Sequence, residues 1–217
     1  MKKYILLSIL TAMTIAACVK DRSTSPTTNN VSTSGDTLMY YWNFNTDTAH
    51  VRIPTHSVSS AAFLFYGGAY YDTVHPGSTL NGVGSDTIPS TANAAFRLRN
   101  PAGPFILYLP TTGYDSIVLK YAVTRTGKGS ATNTVTYTTD GVNYINTVIA
   151  SQTPTYTVNT NAGDSAFSVI SFDFSSDPAV NNNAKFAVQI NFTTTNPAVD
   201  TSGNDRFDNV TVYGKKQ

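Results

Sequence analysis

The stretch DSIVLKYAVTRT, residues 115–126, decides the fold, because its side chains alternate with a period of two. Successive side chains of an extended strand point to opposite faces, so such alternation indicates a strand with one buried face. The other face carries Lys120 and Thr124. The residues of the apolar face are Ile117, Leu119, Tyr121 and Val123. The stretch therefore predicts a long β-strand.

Two further stretches show strand-like patterns. AKFAVQINF, residues 184–192, alternates large apolar residues with Ala187, Gln189 and Asn191. TNTVTYTTDGVNYINTVI, residues 132–149, has Asp140-Gly141 between two strand-like runs. Asp-Gly favours a two-residue hairpin turn, since both positions tolerate positive φ. These patterns predict antiparallel neighbours.

Short runs rich in Val, Ile, Thr, Tyr and Phe, separated by Gly, Pro, Asn and Asp, fill the chain after Thr37. Such runs are typical of strands and turns. About ten strands without sustained helical periodicity predict an all-β fold, a two-sheet antiparallel β-sandwich forming a single domain over residues 37–217. The only helical candidates are short, at 92–95 and 178–182. The remaining predicted strands are 38–45, 61–66, 94–99, 104–109, 154–159, 167–174 and 207–213.

The N-terminal segment MKKYILLSILTAMTIAA, residues 1–17, has a basic start, an apolar middle and small residues at its end. This layout predicts a signal peptide. Its apolar part is shorter than the roughly 20 residues that span a bilayer. Residues 18–36 are dominated by Ser, Thr and Asn and predict a flexible tether, because so few apolar groups cannot offset the entropy cost of ordering.

The only cysteine of the chain is Cys18, at the end of the signal segment. Ile15-Ala16-Ala17-Cys18 resembles the lipobox of bacterial lipoproteins. The resemblance implies cleavage before Cys18 and attachment of acyl chains such as palmitate, which anchor the protein to the lipid bilayer. The alternative is a free cysteine that packs as a small apolar residue. Lys20-Asp21 resembles, with fewer acidic residues, the export signal of Bacteroidota surface lipoproteins. The expected location is the bacterial outer membrane, with exposure on its outer surface as one option and the periplasmic face as the other.

The charge balance excludes one class of partner. The chain has 14 Lys and Arg against 13 acidic residues, all of them Asp. Removal of Lys2 and Lys3 with the signal peptide leaves 12 basic residues. A near-neutral chain with scattered charge offers no basic surface for nucleic acid, so no nucleic-acid partner is expected.

Four short motifs carry a resemblance to a family. YWNFN at 41–45 and RFDNVTV at 206–212 resemble the two ends of bacterial extracellular jelly-roll domains of the laminin-G, MAM and concanavalin-like kind. FRLRN at 96–100 and YTTDG at 137–141 resemble motifs of uncharacterised Bacteroidota surface proteins. The resemblance spans most of residues 38–214 and implies a jelly-roll-like sandwich whose first and last strands pair. It also implies binding or adhesion more often than catalysis.

A calcium site is one candidate function of the segment DTSGNDRFDN, residues 200–209. Calcium binds six to eight oxygen ligands, and this segment is dense in carboxylates and amides. Pairing of the first and last strands would add oxygens from the first strand. The alternative is a turn capped by its own side chains. The strand alternation also predicts that Asp208 lies on the same side as Val210 and Val212. The candidate ligands are Asp200, Asn204, Asp205, Asp208, Asn43 and Asn45.

A sugar-binding loop is the second candidate, at FYGGAYYD, residues 65–72. Tyr66, Tyr70 and Tyr71 surround two glycines that would let a ligand approach. Tyrosine is also a favoured strand residue, so packing is the alternative. Trp42, the only tryptophan, is expected in the core.

The leading functional hypothesis is a non-catalytic module that binds carbohydrate or another surface ligand. The alternatives are a structural component that packs against partner proteins and, third, a hydrolase. No histidine pair has the HExxH spacing of a zinc helix. Calcium is the only cofactor candidate, and no catalytic residue is named.

Overall fold

The computed structural model describes residues 35–46, 50–88, 90, 93–100, 102–146, 154–160, 167–193 and 202–217. The predictions for the signal peptide, Cys18 and nearly all of the tether lie outside the described residues. Twelve strands are described, together with two short 3₁₀ turns at Gly84–Thr87 and Pro178–Val180. The strands are β1 Asp36–Trp42, β2 His56–Ser57, β3 Phe63–Tyr66, β4 Tyr71–Val74, β5 Ala95–Arg99, β6 Phe105–Tyr108, β7 Tyr114–Arg125, β8 Thr132–Thr138, β9 Thr155–Thr157, β10 Ser168–Asp173, β11 Ala187–Phe192 and β12 Asn204–Lys216.

The strands form two antiparallel sheets, so the prediction of an all-β sandwich is confirmed. The seven-stranded sheet has the order β10-β7-β12-β1-β2, with β5 also paired to β12 and β4 paired to β5. The five-stranded sheet has the order β3-β6-β11-β8-β9. β1 pairs with β12 along its length, so the expected pairing of the first and last strands is confirmed. Among the described residues, no helix is long and apolar enough to cross a membrane.

The strand that the sequence predicts most clearly is the longest but one. β7 spans 12 residues and lies between β10 and β12 in the seven-stranded sheet. Its predicted apolar face is fully buried, as the alternation required. The sequence did not predict β2 or β4. β2 has only two residues, both exposed, and all four residues of β4 are half-buried, so neither strand shows an alternation of apolar and polar side chains.

Aromatic side chains are a large part of the core between the sheets, together with Leu, Ile and Val. Trp42 is 1% exposed, which confirms its expected place in the core. Phe105 and Phe207 meet edge to face across the two sheets, with ring centroids 5.0 Å apart. Each buried aromatic side chain removes on the order of 200 Å² from water, so these rings supply much of the hydrophobic stabilisation.

Two local predictions differ from the structure. The hairpin after β8 exists, since Tyr137 pairs with Ile145, but its turn is longer than the two residues expected at Asp140-Gly141. The Asp140 carboxylate accepts the N–H groups of Val142 and Asn143 at 2.8 and 2.7 Å, and these bonds stabilise the wider turn. The helical candidate at 178–182 is a single 3₁₀ turn, and the other candidate runs into β5.

Candidate functional site

The edge strand of the five-stranded sheet carries two exposed phenylalanines. All four residues of β3 are apolar, and they alternate between exposed and buried. Leu64 and Tyr66 point into the core, whereas Phe63 and Phe65 point out and are 43% and 39% exposed. Two large apolar side chains exposed on one face of a strand are unusual, because their burial would be favourable.

The next strand extends this apolar surface. Phe63 lies opposite Tyr108, and Phe65 lies opposite Ile106, in the register of β3 with β6. The rings of Phe63 and Tyr108 stack with centroids 4.2 Å apart and planes within 15° of each other. We call Phe63, Phe65, Ile106 and Tyr108 the aromatic patch. It places two stacked rings with nearly parallel planes on the outer side of the sheet.

Amides and hydroxyls continue the same face across β11 and β8. Gln189 lies opposite Ile106 on one side and Thr136 on the other, and Asn191 lies opposite Thr134. The Gln189 amide donates to Asn191 Oδ1 at 2.5 Å, and the Asn191 amide donates to Thr136 Oγ1 at 3.3 Å. We call Gln189, Asn191, Thr134 and Thr136 the polar ladder. All four side chains are half-buried, so they remain accessible to a ligand.

A further tyrosine lies beside the aromatic patch. Tyr144 follows the turn after β8, and burial together with the nearby Tyr108 hydroxyl raises the pKa of its own hydroxyl. Ala187 lies opposite Tyr108 in the sheet and is only 1% exposed. Neighbouring groups therefore cover the small side chain of Ala187.

The face is electrically neutral. None of the described residues in β3, β6, β8, β9 and β11 is charged. An apolar platform beside paired donors and acceptors can stack against one side of a ligand and hydrogen-bond its edge. Sequence reasoning missed this face. The FLFY run was visible, but four consecutive apolar residues do not show which two point outward.

The three tyrosines predicted to bind sugar do not form one surface. Tyr66 is 3% exposed, and its hydroxyl donates to the carbonyl of Arg99 at 3.1 Å. Burial raises the pKa of Tyr66 to about 12. Its ring is therefore not available to a ligand at the surface. A Cβ at Gly68 would approach the Tyr66 ring to 2.3 Å, so this glycine serves packing.

Tyr70 and Tyr71 lie at the seven-stranded sheet rather than at the aromatic patch. Tyr71 begins β4 and packs edge to face on Phe96, with centroids 5.4 Å apart. The Arg52 guanidinium lies 5.3 Å from the centre of the Tyr71 ring. Tyr70 is 57% exposed and precedes β4. Of the three, only Tyr70 presents a largely open side chain.

The structure divides the predicted calcium ligands. Asn43 and Asn45 follow β1, and both donate their amides to Asp86, at 3.2 and 2.8 Å. Asp86 also accepts the Tyr41 hydroxyl at 3.0 Å. Sequence reasoning did not place Asp86 in this group, because only the 3₁₀ turn at Gly84–Thr87 brings it there. Asp200 lies outside the described residues.

Asp208 takes part in the same network, but not on the predicted side of its strand. A β-bulge lies between Asp208 and Thr211, and Asn209 within it has a φ of 47°. The bulge inserts an extra residue, so Val210 points into the core while Asp208 lies on the outer side. There the Asp208 carboxylate accepts the N–H of Ser78, and the N–H of Asn209 at 2.8 Å. The predicted side for Asp208 is therefore wrong.

This outer network is closed by its own hydrogen bonds. The Asn209 amide accepts the Tyr41 hydroxyl at 2.6 Å and donates to the Ser78 carbonyl at 2.7 Å. Both oxygens of Asp86 and both oxygens of Asp208 accept protein donors. Burial, with a further contribution from the negative charge of Asp86, raises the pKa of Asp208 to about 8. The network ties the cover segment, residues 75–88, 90, 93 and 94, to the outer side of β1 and β12.

Asn204 and Asp205 lie at the other end of β12. The Asp205 carboxylate is buried and accepts the N–H of Ser130 at 2.9 Å. Burial raises the pKa of Asp205 to about 7, although that bond and the Arg125 charge act in the opposite direction. The Oδ1 atom of Asn204 accepts a hydrogen bond from Arg206 Nε at 3.1 Å. Within the described ranges, no three Asp, Glu, His or Cys side chains form a metal-binding group. Calcium binding stays a prediction.

In comparisons with known proteins, the chain has matches among solved structures only. No protein-family model matches the chain, and no curated protein sequence matches it. Solved structures with a similar arrangement include the CBM22-1 and GH10 modules of endo-1,4-beta-D-xylanase 10B from Clostridium thermocellum, in complex with xylohexaose (TM-score 0.47, 13% identity). That match covers 83% of this chain, which spans only 28% of that structure.

Two other similar structures are matched over nearly their whole length. The K1 cleaved adhesin domain of Lys-gingipain from Porphyromonas gingivalis has a TM-score of 0.47 and 10% identity, with 81% of this chain and 97% of that one covered. Domain 4 of the arabinanase AbnA from Geobacillus stearothermophilus, in complex with arabinotriose, has a TM-score of 0.44 and 12% identity, with 84% and 94% covered. These neighbours are carbohydrate-binding and adhesin β-sandwich modules, and at such TM-scores they support no statement about the ligand of this chain.

Proposed function

We propose that this protein is a non-catalytic, glycan-binding β-sandwich, and that the outer face of the five-stranded sheet is its binding surface. The observation that carries the proposal is the exposed stack of Phe63 on Tyr108 beside the hydrogen-bonding side chains of the polar ladder. A sugar ring has an apolar face of C–H groups and a rim of hydroxyls. The aromatic patch would pack on the first, and the polar ladder would bind the second.

The chemistry of the face favours an uncharged glycan. Hydroxyls both donate and accept hydrogen bonds, as do the amides and hydroxyls of Gln189, Asn191 and Thr136. A carboxylate or sulfate on the sugar would lose its water without gaining a cation, because the described strands of this sheet carry no charge. The expected ligand is therefore a neutral polysaccharide.

The size of the face favours an oligosaccharide over a single sugar. Neighbouring strands are about 4.8 Å apart, so the five strands span about 19 Å from β3 to β9. The aromatic patch occupies one side of this span and the polar ladder the centre. A chain lying across the strands would contact both.

The proposal includes a location. Lipid attachment at Cys18 would anchor the sandwich to the bacterial outer membrane, with residues 18–36 as the tether. Metabolic labelling with an alkyne analogue of palmitate tests this: we expect label on the natural chain and none on Cys18→Ser. Label on both proteins, or on neither, would contradict the anchor.

A screen of neutral and acidic polysaccharides against the mature Cys18→Ser chain tests the binding function. We expect binding to neutral glycans, with a Kd that changes little with salt, because uncharged contacts are not screened. The matched control is Tyr70→Ala, which removes an exposed tyrosine away from the aromatic patch and is expected to bind normally. Binding that disappears at high salt would contradict the neutral ligand.

A protein partner is the second candidate, favoured by the exposure of Phe63 and Phe65. Exposed apolar patches also mark protein interfaces. A structural role would show as the absence of binding to every glycan in the screen, together with self-association or capture of an envelope protein that is lost in Phe63→Ala.

A further inference from the structure

A group of polar side chains lies inside the sandwich, at the end where β5, β7 and β8 meet loops. Asn100 directly follows β5, Asn133 is in β8 and Asp205 is in β12. All three are 0% exposed. We call these three residues the interior polar group. It shares no residue with the aromatic patch or with the network around Asp86 and Asp208.

The hydrogen bonds of this group are incomplete. Asp205 Oδ2 accepts the N–H of Ser130 at 2.9 Å, and Asn100 Nδ2 donates to the carbonyl of Lys128 at 2.8 Å. Asp205 Oδ1, Asn100 Oδ1 and both polar atoms of the Asn133 amide have no hydrogen-bond partner. Three acceptors thus lack a donor, against one donor that lacks an acceptor. Buried polar groups form hydrogen bonds in most proteins, so buried oxygens that lack a donor require an explanation.

Several contacts hold the three side chains at the same end of the interior. Asn100 and Asp205 bind the same loop between β7 and β8, two residues apart, at Lys128 and Ser130. Asn133 lies three residues further along the chain. The Tyr156 hydroxyl lies beside the Asn133 amide and within electrostatic range of Asp205. The unpartnered oxygens therefore come from both sheets and belong to residues at the same end of the interior.

The nearest cationic side chain is already engaged. Arg125 lies opposite Asp205 in the sheet, but its guanidinium donates to the carbonyl of Val158 at 2.9 Å and to the carbonyls of Thr126, Gly127 and Gly129 at 3.2 to 3.4 Å. No Arg125 bond to Asp205 Oδ1 exists. No hydrogen bond from the described residues reaches the unpartnered oxygens, and a bound cation would satisfy all three of them.

We propose that the interior polar group binds one hard cation, coordinated by Asp205 Oδ1 and the amide oxygens of Asn100 and Asn133. Carboxylate and amide oxygens are the ligands that calcium and similar cations take in proteins. Of the ligands predicted around the Asp/Asn-rich segment, this site includes only Asp205, because Asp208, Asn43 and Asn45 already bind protein partners. It is also independent of glycan binding, so either proposal can fail alone.

Terbium luminescence and thermal unfolding test the site in the mature Cys18→Ser chain, freed of metal by a chelator. Tb³⁺ replaces Ca²⁺ at oxygen sites and emits when a nearby tyrosine is excited, and Tyr156 lies beside the group. We expect saturable Tb³⁺ emission that Ca²⁺ displaces. We also expect Tm to rise by about 5 to 10 °C at a cation concentration of about 100 Kd. Parallel arms with Ca²⁺ and Na⁺ identify the cation.

The variant Asp205→Asn, which keeps the shape but removes the charge, should lose both signals. The control Asp208→Asn, at the other buried carboxylate of β12, should keep them. Should Asp205→Asn fail to fold, Asn133→Leu is expected to weaken Tb³⁺ binding at least tenfold. An equal Tm rise in Asp205→Asn and the natural chain, or no effect of either cation on Tm and emission, would overturn the proposal.

Discussion

The outer faces of the two sheets are used in opposite ways. On the five-stranded sheet, Phe63 is 43% exposed and stacks on the half-buried ring of Tyr108. On the seven-stranded sheet, the cover segment packs over β1 and β12 and buries Asp86 and Asp208 in hydrogen bonds. One face is open and apolar, and the other is closed and polar.

This difference indicates which of the two faces is available to bind a ligand. Dense Asp and Asn in the sequence attract attention as a site, yet at the cover segment their oxygens bind the protein itself. Satisfied polar groups stabilise a structure but have little left to offer a ligand. Exposed rings keep apolar surface that folding has not buried, so its burial by a ligand remains favourable.

The largest expected effect is a loss of glycan affinity when the stacked rings of the open face are removed. Phe63→Ala combined with Tyr108→Ala should weaken glycan binding by about 3 kcal/mol or more, which is more than about 100-fold, because both rings of the platform are lost. Isothermal titration calorimetry measures the loss. The free energy of unfolding should change far less, because Phe63 is partly solvated in the natural protein. A double variant with unchanged affinity would remove the aromatic patch from the binding surface.

The next effect is a loss of stability when the hydrogen-bond network of the closed face is disrupted. Asp86→Ala removes the acceptor of the Asn43 and Asn45 amides and one of the two acceptors of the Tyr41 hydroxyl. We expect the free energy of unfolding to fall by about 2 kcal/mol, since several hydrogen bonds to a buried carboxylate are lost together. Chemical denaturation measures this loss. Glycan affinity should stay the same, and a parallel loss of affinity would show that the two faces are coupled.

A smaller effect separates the two halves of the open face. Gln189→Ala removes one hydrogen-bonding side chain of the polar ladder but leaves the stacked rings in place. Affinity for a neutral oligosaccharide should fall by about 1 kcal/mol, or roughly fivefold, as for one hydrogen bond. Lys120→Ala, on the other sheet, is the matched control. A loss as large as that of the ring variants would contradict the leading role of stacking.

The smallest effect concerns a half-buried ion pair on the seven-stranded sheet. Arg97 contacts Asp72 through two hydrogen bonds, and although partial burial raises the pKa of Asp72, these bonds and the Arg97 charge lower it overall. A lowered folded-state pKa stabilises the protein above the unfolded pKa of about 3.9 and loses this contribution as the pH falls. Asp72→Asn should cost less than about 1 kcal/mol at neutral pH.

Unfolding measured from neutral pH to below about pH 4 checks the sign of this effect. The difference in stability between Asp72→Asn and the natural chain should vanish at the acidic end. A difference that grows on acidification would contradict the direction of the Asp72 pKa shift.

Sequence alone determined the class of fold. In β7, every second residue from Ile117 to Val123 faces the core, so the period of two was enough to predict the strand and this buried face, although Ala122 and Thr124 on the other face are also buried. The pairing of β1 with β12 followed from a resemblance at the two ends of the domain and is confirmed. The location of the polar and aromatic residues was less well predicted, and each failure has a local cause.

Only the tertiary structure decided which side chains face a ligand. In β3 every residue is apolar, so the register against Phe105 and Leu107 of β6, not the pattern, selects Leu64 and Tyr66 for the core and leaves Phe63 outside. In β12 a bulge of one residue moves Asp208 to the outer side. Alternation is a local property of the chain, whereas its phase is set by the neighbouring strand, and a shift of one residue exchanges the two faces.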